Sequence, residues 1–215
     1  MKTLCIYGCG GQGRDIAELA LKNNTWDEIV FVDDNLKENI VNDFKVYTLE
    51  DILIQYSKEQ MEFIISIGEP FIRKAKYEVL ERYKLKLAIL NDLDVYTTRK
   101  TTVEEGCILH HGVVVSSNTS IGKCSFINKN SVIGHDVIIG DFCVVSPSVT
   151  IGGFTSIGSN SYLGSGAIIR NGINIGENSI VGMGSVVLKD VEPNSVVAGN
   201  PAKFLRVNED KKVFR

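Results

Sequence analysis

The sequence contains no apolar run near the roughly 20 residues that a helix needs to cross a bilayer, so no membrane-spanning segment is expected. It lacks a dominant charge: 23 Lys and Arg stand against 26 Asp and Glu, a formal net charge of −3. That balance offers no basic field for nucleic acid or an anionic membrane. It has no CxxC pair; the five cysteines Cys5, Cys9, Cys107, Cys124 and Cys143 are odd in number and scattered. They read as free, mostly buried thiols of a reducing cytoplasm. Met1 to Tyr7 shows neither the apolar stretch nor the small-residue cleavage site of a secretory leader, and reads as a strand. Proline is scarce, at 4 residues, while glycine is frequent, at 20.

Two periodicities divide the chain near residue 100. Before it, strand-like and helix-like stretches alternate. Strands are predicted at 4–7, 28–32, 62–67 and 85–90, and helices at 15–22, 49–56 and 71–83. That alternation predicts a small parallel α/β sheet over residues 1–100. Beyond it, residues 101–215 follow a period of six. Every sixth position from Val103 to Val187 is Val, Ile or Leu, fifteen in succession. The next residue is often Gly, as at 122, 134, 140, 152, 158, 164, 176 and 182, and the fourth residue after the anchor is usually small or β-branched. Three short strands per eighteen-residue coil, anchors inward, give a triangular parallel β-helix of five coils, about 24 Å tall at ~4.8 Å per coil.

There are three histidines, His110, His111 and His135, the residue type that suits a proton acceptor near neutrality. His135 is followed by Asp136. Neighbours in a straight strand point to opposite faces, so these two side chains can meet only at a corner of the coil. His110 and His111 show no third ligand at metal spacing, and no metal is expected. Gly8-x-Gly10-x-x-Gly13 lies between a strand and a helix, where backbone N–H groups and a helix N-terminus cradle phosphate. The pattern alone equally suggests a dinucleotide, although the half-domain is short for one.

The hexad run, together with the tail Val197 to Lys203, resembles the left-handed β-helix of the hexapeptide acyltransferases. The small Rossmann-like domain that opens Ile6 to Gly13 and continues through Phe31-Val32-Asp33-Asp34 and Ile67-Gly68 narrows the likeness to the PglD/NeuD-type sugar acetyltransferases. The resemblance covers almost the whole chain. It implies acetyl-CoA as donor and a cytoplasmic homotrimer with donor sites between neighbouring prisms. The implied acceptor is a nucleotide-linked amino sugar held by the N-terminal domain, or a sugar hydroxyl in the sialic-acid branch. A non-catalytic, nucleotide-binding scaffold is the reading from another class.

By the same resemblance His135 is the general base, Asp136 its orienting partner, and Asn128 a group near the reacting centre. Gly8, Gly10, Gly11, Gln12, Gly13, Asp33, Asp34 and Gly68 would hold the acceptor's nucleotide. Gln12 departs from relatives that carry His there. Val144 stands where some relatives carry a second histidine, which leaves only backbone or packing contacts to the donor. Gly153, Gly164, Ser165, Gly182 and Met183 would line the pantetheine arm, with Lys203 and Arg206 toward the coenzyme A phosphates.

Overall fold

A computed structural model describes residues 1–35 and 38–214. The N-terminal sheet is built around β1 (Thr3–Tyr7), which pairs in parallel with β2 (Glu28–Val32) on one side and β5 (Met61–Ile65) on the other. Every residue of β1 is buried, as a central strand covered on both faces requires. β4 (Phe44–Tyr47) extends the sheet beyond β2 and turns back on the short β3 (Ile40–Val41). The helices are α1 (Gly11–Asn23), α2 (Leu49–Gln55) and α3 (Pro70–Arg82). Local chemistry starts two of them: the Thr48 hydroxyl accepts from the Asp51 amide at the head of α2, and Pro70 opens α3.

The expected fourth strand at 85–90 is corrected. That stretch makes one bridge to the N-terminal sheet, Phe63 to Leu87, and then β6 (Leu90–Asn91) pairs with the first prism strand of its face, β8 (Ile108–Leu109). The chain therefore passes from one sheet directly into the other. The β3–β4 hairpin was not expected; its strands are only two and four residues long, Ile40-Val41 and Phe44 to Tyr47, too short to show a strand period.

The prism follows the hexads without a break. Fifteen two-residue strands, from β7 (Thr102–Val103) to β21 (Val186–Val187), each end on one of the predicted anchors. Each pairs in parallel with the strand eighteen residues away, giving three faces. All anchors but the first, Val103, are at most 2 % exposed and form one continuous core. The small residues do more than fill space. The hydroxyls of Thr119, Ser125, Ser131 and Ser161 each donate to a carbonyl fifteen residues on, at 2.8–3.0 Å, which satisfies buried oxygens at the coil corners. The glycine after an anchor answers a close approach: a Cβ on Gly134 would stand 2.6 Å from the Gly153 nitrogen in the next coil.

The face that carries β8 also carries β11 (Phe126–Ile127), β14 (Val144–Val145) and β17 (Tyr162–Leu163). Its outward side chains Ile108, Phe126 and Val144 join Leu4, Ile6 and Phe31 in a second apolar cluster, so this face of the prism is the floor of the N-terminal domain. One polar clamp crosses that boundary. Arg73 of α3 is fully buried and donates to the Cys124 carbonyl through Nε (2.9 Å) and Nη2 (2.7 Å). Its Nη1 donates to the carbonyls of Ile65 (2.7 Å) and Ile67 (2.8 Å). All five cysteines are free and buried, as expected.

Candidate active site

The loop after β1 forms the floor of a cavity of about 430 Å³. Gly8, Gly10, Gly11, Gln12, Asp33, Asp34 and Gly68 line it, so all the predicted acceptor residues but one come together. Gly13 is the exception. A Cβ there would stand 2.1 Å from the Gly8 carbonyl oxygen, so Gly13 lets α1 pack against the loop and does not face the cavity. Gly8 has φ +104°, a conformation side chains avoid, whereas Gly10 faces open space. No side chain caps α1 at Gly10 and its first turn has no acid, an arrangement that suits an anion at this helix end.

Asp33 and Asp34 line the cavity but already have partners. Asp33 accepts from the Cys9 amide (3.3 Å) and the Asn35 amide (3.0 Å), which braces the glycine loop. Asp34 accepts from the Tyr7 hydroxyl (2.5 Å), Lys76 Nζ (3.1 Å) and the Leu49 amide (2.9 Å). Burial alone would raise the Asp34 pKa, but these donors outweigh it and hold the carboxyl below its ordinary value. Burial, reinforced by Asp34, pushes the Tyr7 hydroxyl up to about 12. Tyr7, Ser66 and Lys76 also line the cavity and escaped the sequence reading. Lys76 lies 42 residues from Asp34, and no local spacing announces that pairing.

His135 and Asp136 sit at a corner of the prism between β12 (Val132–Ile133) and β13 (Ile138–Ile139). Asp136 has φ +57°, a left-handed turn that Asp tolerates, and this brings the two side chains to one side. His135 Nδ1 lies 2.8 Å from Asp136 Oδ2. Asn118, one coil below, donates to the other carboxylate oxygen at 3.1 Å. His135 first, then Asn118, lower the Asp136 pKa, so the carboxylate stays charged. With Nδ1–H donated to Asp136, Nε2 keeps its lone pair and is free to accept a proton. The ring stands edge-on to Phe154 with centroids 4.8 Å apart, and Phe154 is 65 % exposed.

Gly153 leaves room for the ring. A Cβ there would lie 2.8 Å from His135 Cε1 and 2.9 Å from Nε2. Gly153→Ala is therefore expected to displace the imidazole and to lower kcat about 10²-fold in any reaction that uses it. Steady-state kinetics beside a thermal unfolding curve checks this; an unchanged kcat would mean the ring tolerates the shift.

Asn128 occupies a different corner. Its Oδ1 accepts from the Lys129 amide (2.8 Å), and Lys129 Nζ reaches Asp15 of α1 (2.6 Å). This corner thus adjoins the helix that follows the glycine loop of the cavity. Backbone bonds stack Lys129, Pro147, Ser165 and Met183 in one column at this corner. Ser117, His135, Gly153 and Asn171 form the neighbouring column. The expected donor residues therefore divide: Gly153 belongs with His135, while Gly164-Ser165 and Gly182-Met183 belong with Asn128. Lys203, exposed on β23 (Lys203–Val207), pairs with Ala198, whose Cβ would lie 2.8 Å from a Cβ on Gly182, so it stands at the top of the Asn128 column. The Arg206 side chain donates to the Val207 carbonyl (3.1 Å). The Val144 expectation is corrected: this side chain is 3 % exposed beneath the N-terminal domain and has no surface to offer a donor.

The remaining histidines are held structurally. His110 is buried, its Nδ1 accepts from the His111 amide (2.9 Å), and burial, then Lys129, lowers its pKa. His111 lies 2.6 Å from Asp94, and together with Asp92 these groups place ligand atoms within 4.8 Å of one another. Asp94 also accepts from the Gly112 amide, so the cluster fastens the first coil's corner.

Fifteen hexads, a phosphate-type loop and a histidine–aspartate pair at a coil corner define a hexapeptide-repeat transferase with an added α/β domain. Family comparison finds the PglD N-terminal domain at residues 3–80, bacterial transferase hexapeptide repeats at 118–153 and the hexapeptide repeat of succinyl-transferase at 154–189. The acetyltransferase domain of PglB from Neisseria gonorrhoeae is 30 % identical over 95 % of this chain and 100 % of that one, with a TM-score of 0.91. WeeI from Acinetobacter baumannii is 28 % identical over 95 % and 100 %, with a TM-score of 0.90. PerB from Caulobacter crescentus, solved with CoA and GDP-perosamine, shares the fold at 24 % identity over 96 % and 98 %, TM-score 0.88. A comparison with curated proteins finds no match. The chain belongs to the PglD-type sugar acetyltransferases. Among the described residues no helix is long and apolar enough to cross a membrane.

Proposed function

We propose that this chain transfers the acetyl group of acetyl-CoA to the 4-amino group of a nucleotide-linked 4-amino-4,6-dideoxy sugar for surface-glycan synthesis. The observation that carries the reading is the His135–Asp136 pair at 2.8 Å, oriented at a coil corner with Nε2 free. The neutral amine attacks the thioester carbonyl, its proton passes to His135 Nε2, and coenzyme A leaves as the thiolate that takes the proton up. Asp136 steadies the imidazolium as it forms. The PglB domain solved with acetyl coenzyme A supports the donor.

The division of labour follows the two halves. Residues 1–100 hold the nucleotide in the cavity floored by the glycine loop, and residues 101–215 hold the donor. The two corner columns flank one prism face, whose outward side chains include Val132 (42 % exposed) and Ile168 (48 % exposed). An apolar face of this kind is the natural seam of a homotrimer. In that assembly His135 of one chain faces the Asn128 column and acceptor cavity of the next, and the donor lies in the groove between them. Five unpaired buried cysteines suit work in a reducing cytoplasm.

The test is acetyl-CoA turnover, followed as thiol release, with UDP-, dTDP- and GDP-linked 4-amino sugars beside free sialic acid. Release with an amino sugar nucleotide is expected. Release with sialic acid alone would replace N-transfer by O-transfer, and release with none would favour a scaffold.

A further inference from the structure

The segment after β23 does not end on the prism. The Asn208 amide donates to the Asn194 carbonyl (2.7 Å), and its Nδ2 donates to the Asn178 carbonyl (2.9 Å), which fixes the point of departure. The chain then crosses to the N-terminal domain. There the carboxylate of Glu69 accepts from the Val213 amide (2.9 and 3.1 Å) and from the Phe214 amide (3.0 Å). Glu69 is only 6 % exposed and directly precedes α3. A nearly buried carboxylate whose oxygens are taken up by two amides of one distant segment is a docking point, since without those amides its desolvation would be uncompensated.

The docking point places one ring. Phe214 stands edge-on to Tyr162 of the prism with centroids 5.6 Å apart. It also lies 4.0 Å from the position of a Cβ on Gly68, and Gln12 Oε1 lies 3.0 Å from that same position. Gly68 and Gln12 both line the acceptor cavity. Gln12, Gly68, Phe214 and Tyr162 therefore mark a path from the nucleotide cavity to the prism, and its second half is aromatic. Phe214 remains 59 % exposed, so its face is open to a ligand.

Resting on the proposed reaction, we infer that Phe214, held by Glu69 and Tyr162, is a specificity residue for the sugar. Its ring packs against the apolar C–H and 6-methyl surface of a deoxy sugar as that sugar leaves the nucleotide cavity for the donor. The nucleotide diphosphate is bound elsewhere, by the glycine loop, so the two parts of the acceptor are recognised by different elements. Aromatic rings suit this surface because sugars expose C–H groups while their hydroxyls stay at the rim.

Equilibrium binding tests this without requiring turnover. UDP-, dTDP- and GDP-linked 4-amino-4,6-dideoxyglucose are each titrated beside the matching nucleoside diphosphate into the wild-type chain, Phe214→Ala, Phe214→Tyr and Glu69→Gln. For the pair bound most tightly, Phe214→Ala is expected to weaken the sugar nucleotide about tenfold and leave the diphosphate within twofold. Phe214→Tyr should retain affinity, and Glu69→Gln should weaken the sugar nucleotide severalfold. Equal loss of both ligands in Phe214→Ala, or no loss of either, would overturn the inference. So would equal affinity of the wild-type chain for sugar nucleotide and diphosphate. Thiol release by the wild-type chain, measured on the same preparation, reports separately on the proposed reaction.

Discussion

His135→Ala is expected to lower kcat by about 10²–10⁴-fold, the range over which a positioned general base contributes. The effect should fall on kcat and leave acetyl-CoA binding near the wild-type value, because in the proposed reaction the ring acts on the attacking amine. The stability cost should be small. The His135 side chain is 56 % exposed in the single chain, and its hydrogen-bonding partner Asp136 keeps Asn118 as a second donor. Asp136→Asn should retain part of the activity, since the amide preserves the shape of the pair while losing the charge that favours imidazolium. Steady-state rates for both variants over pH 6–9, with calorimetric binding of coenzyme A, separate a lost base from a lost site.

The largest effect on folding is expected at Arg73. Arg73→Met removes every donor that the carbonyls of Cys124, Ile65 and Ile67 receive from the guanidinium. Two effects oppose one another. Removing an Arg whose side-chain hydrogen bonds among the described residues all go to neutral carbonyls relieves the cost of burying its charge, and burial already lowers its pKa. Against that, the buried carbonyls of Cys124 and Ile65 and the part-buried one of Ile67 lose a partner, at about 1–3 kcal/mol for each buried one. The second effect should win, with a net loss on the order of 3 kcal/mol, and the N-terminal domain should loosen first because the clamp joins it to the prism. Arg73→Lys should not rescue, since one ammonium cannot span the set that the planar fork reaches. Urea unfolding at a fixed protein concentration gives the loss, and hydrogen exchange at α3 and the Gly68 turn locates it. A variant as stable as wild type would mean that desolvation of the charge outweighs the carbonyls.

The prism was almost fully legible because its information is local and repeated. Each anchor from Val103 to Val187 repeats one inward position, so a wrong reading of one hexad is corrected by its neighbours. The glycine loop was legible for the same reason: Gly8, Gly10 and Gly13 occupy fixed offsets between a strand and a helix. Gly13 nevertheless proved to serve helix packing, a distinction that spacing cannot make. Asp136 needed its positive φ to reach His135; the sequence required a corner there, and the backbone supplied one. Lys76, Arg73 and Phe214 were missed because each has a partner far off in sequence, Asp34 42 residues from Lys76, Cys124 51 from Arg73 and Tyr162 52 from Phe214. Val144 failed because the face it occupies is covered by another domain, which a six-residue period does not show. The strand expected at 85–90 failed because its residues are apolar enough for a strand yet change sheets midway.

The central claim is that each reaction centre is shared, with the base from one chain and the acceptor cavity from its neighbour. Gly10→Trp fills the cavity from a position where an added side chain meets open space, so the fold should be kept. The most direct measurement is the activity of hybrid assemblies formed by co-expressing His135→Ala chains with Gly10→Trp chains, each inactive alone. A shared centre restores activity in the hybrids, because some junctions unite an intact base with an intact cavity. Hybrids as inactive as either parent would place base and cavity within one chain and contradict the account.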